Sequence, residues 1–224
     1  MLEKNWNDLI TPSNVVIAAK SGDIKGTVVA EPIERGYGLT IGNSLRRVLL
    51  SSLQGAAVTA IQIENVLHEF SSIPGVREDV VDLILNIKGI SVKSHIDGIS
   101  KVSLNAKGPC DVTAGMIQSN ANVEIKNPEL IICHLDKDSE LNIDFTINTG
   151  RGYAPAAENK PEDAPIGLIP IDAIFSPVRT VSYKIENSRV GQDTDYDRLL
   201  MDIETDGTIT PEDATALAAR IMIE

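Results

Sequence analysis

Gly36-Tyr37-Gly38 leads through Gly42 into a run whose apolar residues recur at helical spacing. A glycine-rich turn opening a helix is an arrangement that can cradle phosphate, because the backbone approaches closely and the first helical N–H groups favour an anion. The spacing fits no dinucleotide fingerprint, and no Gly-Lys-Ser or Gly-Lys-Thr follows. A turn that lets the helix pack closely is therefore the better reading, with a phosphate- or nucleotide-binding enzyme using the Gly36–Gly42 turn as the rival. Metal chemistry would draw on His68, His95, Cys110, Cys133 and His134. These lack C-x-x-C or H-x-x-x-H spacing, and Cys133 and His134 point to opposite faces of a strand. Core thiols and surface imidazoles are expected, with no metal and no cofactor. There is no G-x-S-x-G elbow, no cysteine with an evident base and no Asp-rich loop for magnesium, so no catalytic residue is expected.

The other chemistry in this region is recognition. At about 100° per residue, Ile41, Leu45, Val48, Leu49 and Ser52 share one face of the helix, opposite Asn43, Arg46, Arg47, Leu50 and Gln54. Leu50 thus sits in a polar arc between two guanidinium groups. Arginine forks bidentately onto carboxylates and is enriched at interfaces, so Arg46, Arg47 and Leu50 read as a docking face. Arg151 and Tyr153 follow a strand, where the arginine would pair with a nearby carboxylate and the tyrosine would cover the edge of the core.

The elements that carry these residues can be read in order. Met1–Pro12 has no period and is expected as a loosely held arm. Asn14–Ala19 and Gly26–Pro32, separated by Ser21-Gly22-Asp23, give a hairpin signal. Ala57–Glu64 alternates as a strand. Glu78 and Asp79 precede the apolar run Val80–Ile87, with Lys88 and Gly89 closing it, which describes a capped and largely buried helix. Leu130–Leu135 and Leu141–Thr149 are the clearest later strands. Residues 152–165 read as an exposed acidic loop, Ile166–Ile174 and Arg179–Asn187 as extended, and Leu199–Glu204 as one more strand. Thr210 is a good N-cap, Pro211 suits the first helical position, and Ala214, Leu217, Ala218, Ile221 and Met222 recur at three and four. Nothing stops this helix before Glu224, so it is expected to run on in a longer parent chain.

The 224 residues are ample for a core, and 20 basic against 32 acidic residues leave a formal net charge of −12. Such a surface repels a phosphate backbone, which argues against direct DNA binding by this chain. With two cysteines, no secretory signal and no apolar run of membrane-spanning length, a soluble protein of a reduced cytoplasm is expected.

The strings ERGYGLTIGNSLRRVLLSS (Glu34–Ser52) and LHEFSSIPGVREDVVDLILNIKG (Leu67–Gly89) closely resemble the amino-terminal domain of the bacterial RNA polymerase alpha subunit. GRGYAPA at Gly150–Ala156, IDAIFSPV at Ile171–Val178 and DGTITPEDA at Asp206–Ala214 follow in the family's order, so the likeness spans nearly the whole chain. Leu39 departs from the polar residue usual there, which touches one local contact.

The resemblance implies an α+β fold in which both chain ends, 1–54 and 179–224, make a dimerisation subdomain of sheet plus helices, interrupted by a mostly-β inserted subdomain at 55–178. It implies that the family's carboxy-terminal DNA-binding domain is absent from this chain. It further implies a non-catalytic assembly subunit that homodimerises and scaffolds the beta and beta-prime subunits for DNA-templated transcription, cytoplasmic and nucleoid-associated within the polymerase. Carried over by residue, Arg46, Arg47 and Leu50 would face beta. Ile41, Leu45, Val48, Leu49, Leu217 and Ile221 would form the dimer contact. Lys88, Ser176, Pro177, Val178 and Arg198 would touch the large subunits, and Glu158, Glu162 and Asp163 would form a loop that receives transcription activators.

Overall fold

A computed structural model of the chain describes residues 10–18, 23–161 and 163–224. Most of the expected N-terminal arm, the Ser21-Gly22 part of the first turn, and Glu162 lie outside the described residues. In chain order the elements are β1 (Asn14–Ala18), β2 (Lys25–Ile33), α1 (Tyr37–Ser51), β3 (Gln54–Ile63), α2 (Val80–Ile87), β4 (Val92–Ser94), β5 (Ser100–Lys107), β6 (Cys110–Thr113), β7 (Val123–Ile125), β8 (Ile131–Leu135), β9 (Glu140–Arg151), β10 (Tyr153–Ala154), α3 (Ala156–Asn159), β11 (Leu168–Pro170), β12 (Ala173–Ile174), β13 (Val178–Val190), β14 (Asp193–Thr205) and α4 (Pro211–Ile223). The fold is α+β. Its two compact units are Met1–Leu53 with Pro177–Glu224, and Gln54–Ser176.

The first unit is built on an antiparallel sheet ordered β1-β2-β14-β13. The alternation Leu199, Met201, Ile203 puts three buried side chains on the inner face, while Asp202 and Glu204 turn outward to Thr27 and Lys25. The β13–β14 ribbon runs well beyond the expected Leu199–Glu204 strand, because its distal half is held by paired backbone groups such as Ser188 opposite Tyr196 rather than by buried side chains.

Helix α1 lies on this sheet, and it begins earlier than its sequence suggests. Gly36 caps it in the left-handed region at φ 83°, so Gly38 and Gly42 fall inside the helix rather than in a preceding loop. The buried face is Gly38, Gly42 and Leu49, turned toward the glycines from the expected face; Ile41, Leu45 and Val48 are only half-buried. A Cβ on Gly42 would lie 2.9 Å from Tyr183 Cδ2 and 3.0 Å from Leu199 Cδ1. The glycines thus set the helix-to-sheet distance, which a hydrophobic count does not register. Helix α4 opens as expected: the Thr210 hydroxyl accepts from Asp213 N at 3.1 Å, with Pro211 in the first position.

The second unit holds a six-stranded antiparallel sheet ordered β5-β9-β3-β4-β7, with β11 also paired to β3. In β9, Leu141, Ile143, Phe145 and Ile147 are buried, and Asn142, Asp144 and Thr146 alternate outward. Helix α2 is capped by the Asp79 carboxylate, which accepts from Asp82 N at 2.7 Å. It buries Val80, Leu83 and Ile87 but leaves Val81 and Leu85 exposed, so the expected near-complete burial is corrected to a single packed face. The expected open loop after residue 152 is anchored as well. Tyr153 pairs with Ile174, α3 follows, and Asn159 Nδ2 donates to the Ile171 carbonyl at 2.7 Å.

Candidate functional site

The turn weighed as a phosphate cradle is occupied from within. Asp197 Oδ2 accepts from Gly36 N at 2.9 Å and from Gly38 N at 3.0 Å, placing a carboxylate on the positive end of α1. A Cβ on Gly38 would lie 2.8 Å from that oxygen, so glycine here makes room for Asp197. The anion position of the rival reading is filled by the chain itself. Sequence reasoning missed Asp197, because nothing local to DYDRLL marks one of its aspartates as the cap of a helix far away in the chain.

On the solvent side of α1, Arg46 and Arg47 are exposed and neither pairs with a carboxylate among the described residues. Leu50 is half-buried and packs partly against the core, so the apolar centre of this ridge is narrower than the wheel suggested. Leu49 is corrected: it is fully buried within its own chain and has no surface to give a second copy. On α4, Ala214 and Ala218 are fully buried, whereas Leu217 and Ile221 are 48% and 41% exposed, with Met222 beside them at 42%. Small side chains let α4 settle close to α1, and the larger ones are left outside.

The remaining candidates divide. Pro177 and Val178 are buried and are corrected to core residues, because neither presents an accessible side chain; Ser176 is half-buried. Lys88 is held in an ion pair with Asp172 at 2.5 Å, both partly buried. That partner, first through its hydrogen bond, keeps the Asp172 carboxyl below its ordinary value against the opposing effect of burial, and Tyr153 also bonds to it. Tyr153 is exposed rather than lying over the core edge, and Arg151 is exposed without an ion-pair partner among the described residues. Arg198 Nε lies 3.3 Å from Glu31 Oε2, and Nη1 lies 4.0 Å from Glu186 Oε2. Glu158 and Asp163 are exposed.

Among the described residues, no group of three or more His, Cys, Asp or Glu side chains is placed to hold a metal ion. Cys133 is fully buried, and burial above all pushes its thiol up to about 12. His134 instead ties strand β8 to the segment before α2: its backbone N–H donates to Glu78 Oε2 at 2.8 Å, and its ring Nδ1 meets Glu78 Oε1 at 2.6 Å. Burial pushes the Glu78 carboxyl up, but the bonds from His134 outweigh it, and the group titrates below its ordinary value of 4.5. A depressed carboxyl stabilises the fold above the unfolded-chain value, and that contribution is lost as pH falls through the folded value. The expected result is that Glu78→Gln lowers the urea midpoint at neutral pH and that the gap to wild type closes as pH falls below 4.5. Denaturation curves at a series of pH values measure it, and a gap independent of pH would show that the carboxylate charge is not what matters.

A family model described as the RNA polymerase Rpb3/RpoA insert domain matches residues 61–176, slightly more than half of the chain. The chain belongs to that family. The match runs from the last three residues of β3 to Ser176 and so covers nearly all of the second unit. As an Rpb3/RpoA-type chain it is a component of DNA-directed RNA polymerase and acts in transcription. The resemblance carried by the Leu67–Gly89 and Gly150–Ala156 strings, which lie within the match, is therefore borne out. Among the described residues, no helix is long and apolar enough to cross a membrane.

Proposed function

We propose that this RNA polymerase component is a non-catalytic assembly scaffold: two copies join through α1 and α4, and the pair presents its arginine ridge to the large subunits. The observation that carries this reading is the split face of α4, where the alanines are consumed in the chain's own core and Leu217, Ile221 and Met222 are left uncovered. With the half-buried Ile41, Leu45 and Val48 of the neighbouring α1, they offer a self-complementary apolar surface of the kind that closes a twofold dimer. Arg46 and Arg47, which pair with no carboxylate among the described residues, face beta, with Leu50 between them. Ser176 and Arg198 are secondary large-subunit contacts, and Glu158 and Asp163 form an activator-facing loop whose charge would act mainly on association rate. The net charge of −12 leaves DNA contact to other parts of the polymerase. The setting is the bacterial cytoplasm, on the nucleoid.

The test is a pair of variants. Leu217→Asp with Ile221→Asp is expected to give a folded monomer by sedimentation and circular dichroism; a variant that stays dimeric overturns the proposed contact. Arg47→Ala is expected to stay dimeric yet to lose co-purification with beta, since truncating a buried interfacial arginine costs about 2–4 kcal/mol. An unfolded or dissociated Arg47→Ala protein would make the residue structural.

A further inference from the structure

Asp111 on β6 and His134 on β8 stand opposite each other in the register of a two-stranded ribbon. The His134 ring lies between two carboxylates. Its Nδ1 meets Glu78 Oε1 at 2.6 Å, the other Glu78 oxygen accepts from the His134 backbone N–H at 2.8 Å, and its Nε2 is 3.7 Å from Asp111 Oδ1. The two sides differ in kind. The Glu78 side chain is only 17% exposed and is gripped at both oxygens, whereas that of Asp111 is 65% exposed and sits at ion-pair range, farther than a hydrogen bond. Among the described residues no lysine or arginine pairs with either carboxylate. Arg77, exposed, meets His134 through its backbone N–H, which donates to the His134 carbonyl at 3.1 Å; Asp79 is spent on capping α2, and Asp82 of that helix is exposed. Of the neighbouring thiols, Cys133 is buried and Cys110 Sγ donates to the Lys107 carbonyl.

An ionised carboxylate only accepts, so Glu78 holds a proton on Nδ1 whatever the charge of the ring. Nε2 is therefore the atom that changes. In the neutral ring it turns a lone pair toward Asp111; in the protonated ring it turns an N–H and a positive charge. The contact with Glu78 persists in both forms, while the contact with Asp111 passes from repulsion to attraction. We propose that His134 is a pH-sensitive latch: once protonated it draws in Asp111 and ties β6, through the ring, to the segment that enters α2, and once neutral it releases β6 at that corner. The imidazole side chain is the one suited to this, because its charge ordinarily changes between about pH 5 and 8. The Asp111 pair exists only while the ring is charged, so its contribution is present on the acidic side and is lost as pH rises. Mild acidification thus tightens this corner of the fold. The latch lies wholly within Gln54–Ser176 and is independent of the dimer reading.

The test is nuclear magnetic resonance on the isotope-labelled full chain, titrated from about pH 8 to about pH 5. Ring nitrogen shifts of His134 read its tautomer, the carboxyl carbon of Asp111 reads the partner, and hydrogen-exchange protection factors read the ribbon. At the alkaline end the Nδ1-protonated tautomer is expected. On acidification the Asp111 carbon is expected to shift with the same midpoint as the ring, and protection of the β6 amides to rise about threefold relative to those of β9, the effect of one exposed ion pair. Asp111→Asn alters an exposed side chain and leaves the Glu78 bond in place, so it is expected to keep the tautomer and to abolish the rise in protection. An Nε2-protonated tautomer at the alkaline end, an Asp111 carbon that does not follow the ring, or a rise that survives in Asp111→Asn would each overturn the proposal.

Discussion

Replacing Phe145 by alanine is expected to cost about 4 kcal/mol, measured as the loss of unfolding free energy in urea. Phe145 has no exposed surface and sits on β9, between β5 and β3 in the six-stranded sheet, directly opposite Ile61 on β3 and Val102 on β5, which are themselves buried. Neighbours held in two hydrogen-bonded ladders cannot collapse into the space the ring leaves, so both transfer free energy and packing are lost. Against total stabilities of about 5–15 kcal/mol, that is enough to make the second unit marginal. Phe145→Leu keeps part of the volume and is expected to lose less. A cost below about 1 kcal/mol for the alanine variant would mean that the site closes up, and would contradict the packing described for this face.

The second large effect is expected at Gly42. Gly42→Leu forces a branched side chain into a position where even a Cβ meets Tyr183 and Leu199 at 3.0 Å or less. The contacts are side-chain atoms, so the sheet gives a little, but α1 must also lift, at a cost of about 3 kcal/mol. Because α1 carries Arg46 and Arg47 on its solvent side and packs against α4, the variant is expected to weaken both self-association and capture of beta, unlike Arg47→Ala. Sedimentation and pull-down of the same preparation separate the two cases. A Gly42→Leu protein with undiminished stability and full dimerisation would show that the close approach of helix and sheet is not needed.

Much of this architecture was legible before the coordinates. The Asp79 and Thr210 caps, the β1–β2 pairing and the alternation along β9 are local patterns, set by neighbours a few residues apart, and the structure places them where the spacing indicated. What escaped were features whose cause lies elsewhere in the chain. The wheel turned α1 toward Val48 and Ser52 because it gives glycine no weight, whereas the sheet selects the glycine side for closeness. Leu49 was assigned to a partner because an apolar stripe does not say which of its members the chain will cover itself. Pro177 and Val178 come to the large-subunit contact only by family resemblance, which does not register that this chain buries both, and Asp197 has no local sign of its role.

The bonds from Asp197 to Gly36 and Gly38 also set an order of events during synthesis. The first hairpin and α1 leave the ribosome early, yet the carboxylate that closes the helix start, and the strand β14 that β2 needs as its second neighbour, emerge only after the entire Gln54–Ser176 unit. That intervening unit pairs its strands entirely among themselves and is free to complete first. The amino-terminal segment must wait meanwhile with Ile33 and Leu49 unsheltered, which makes it the stretch of the nascent chain on which a holding chaperone would act.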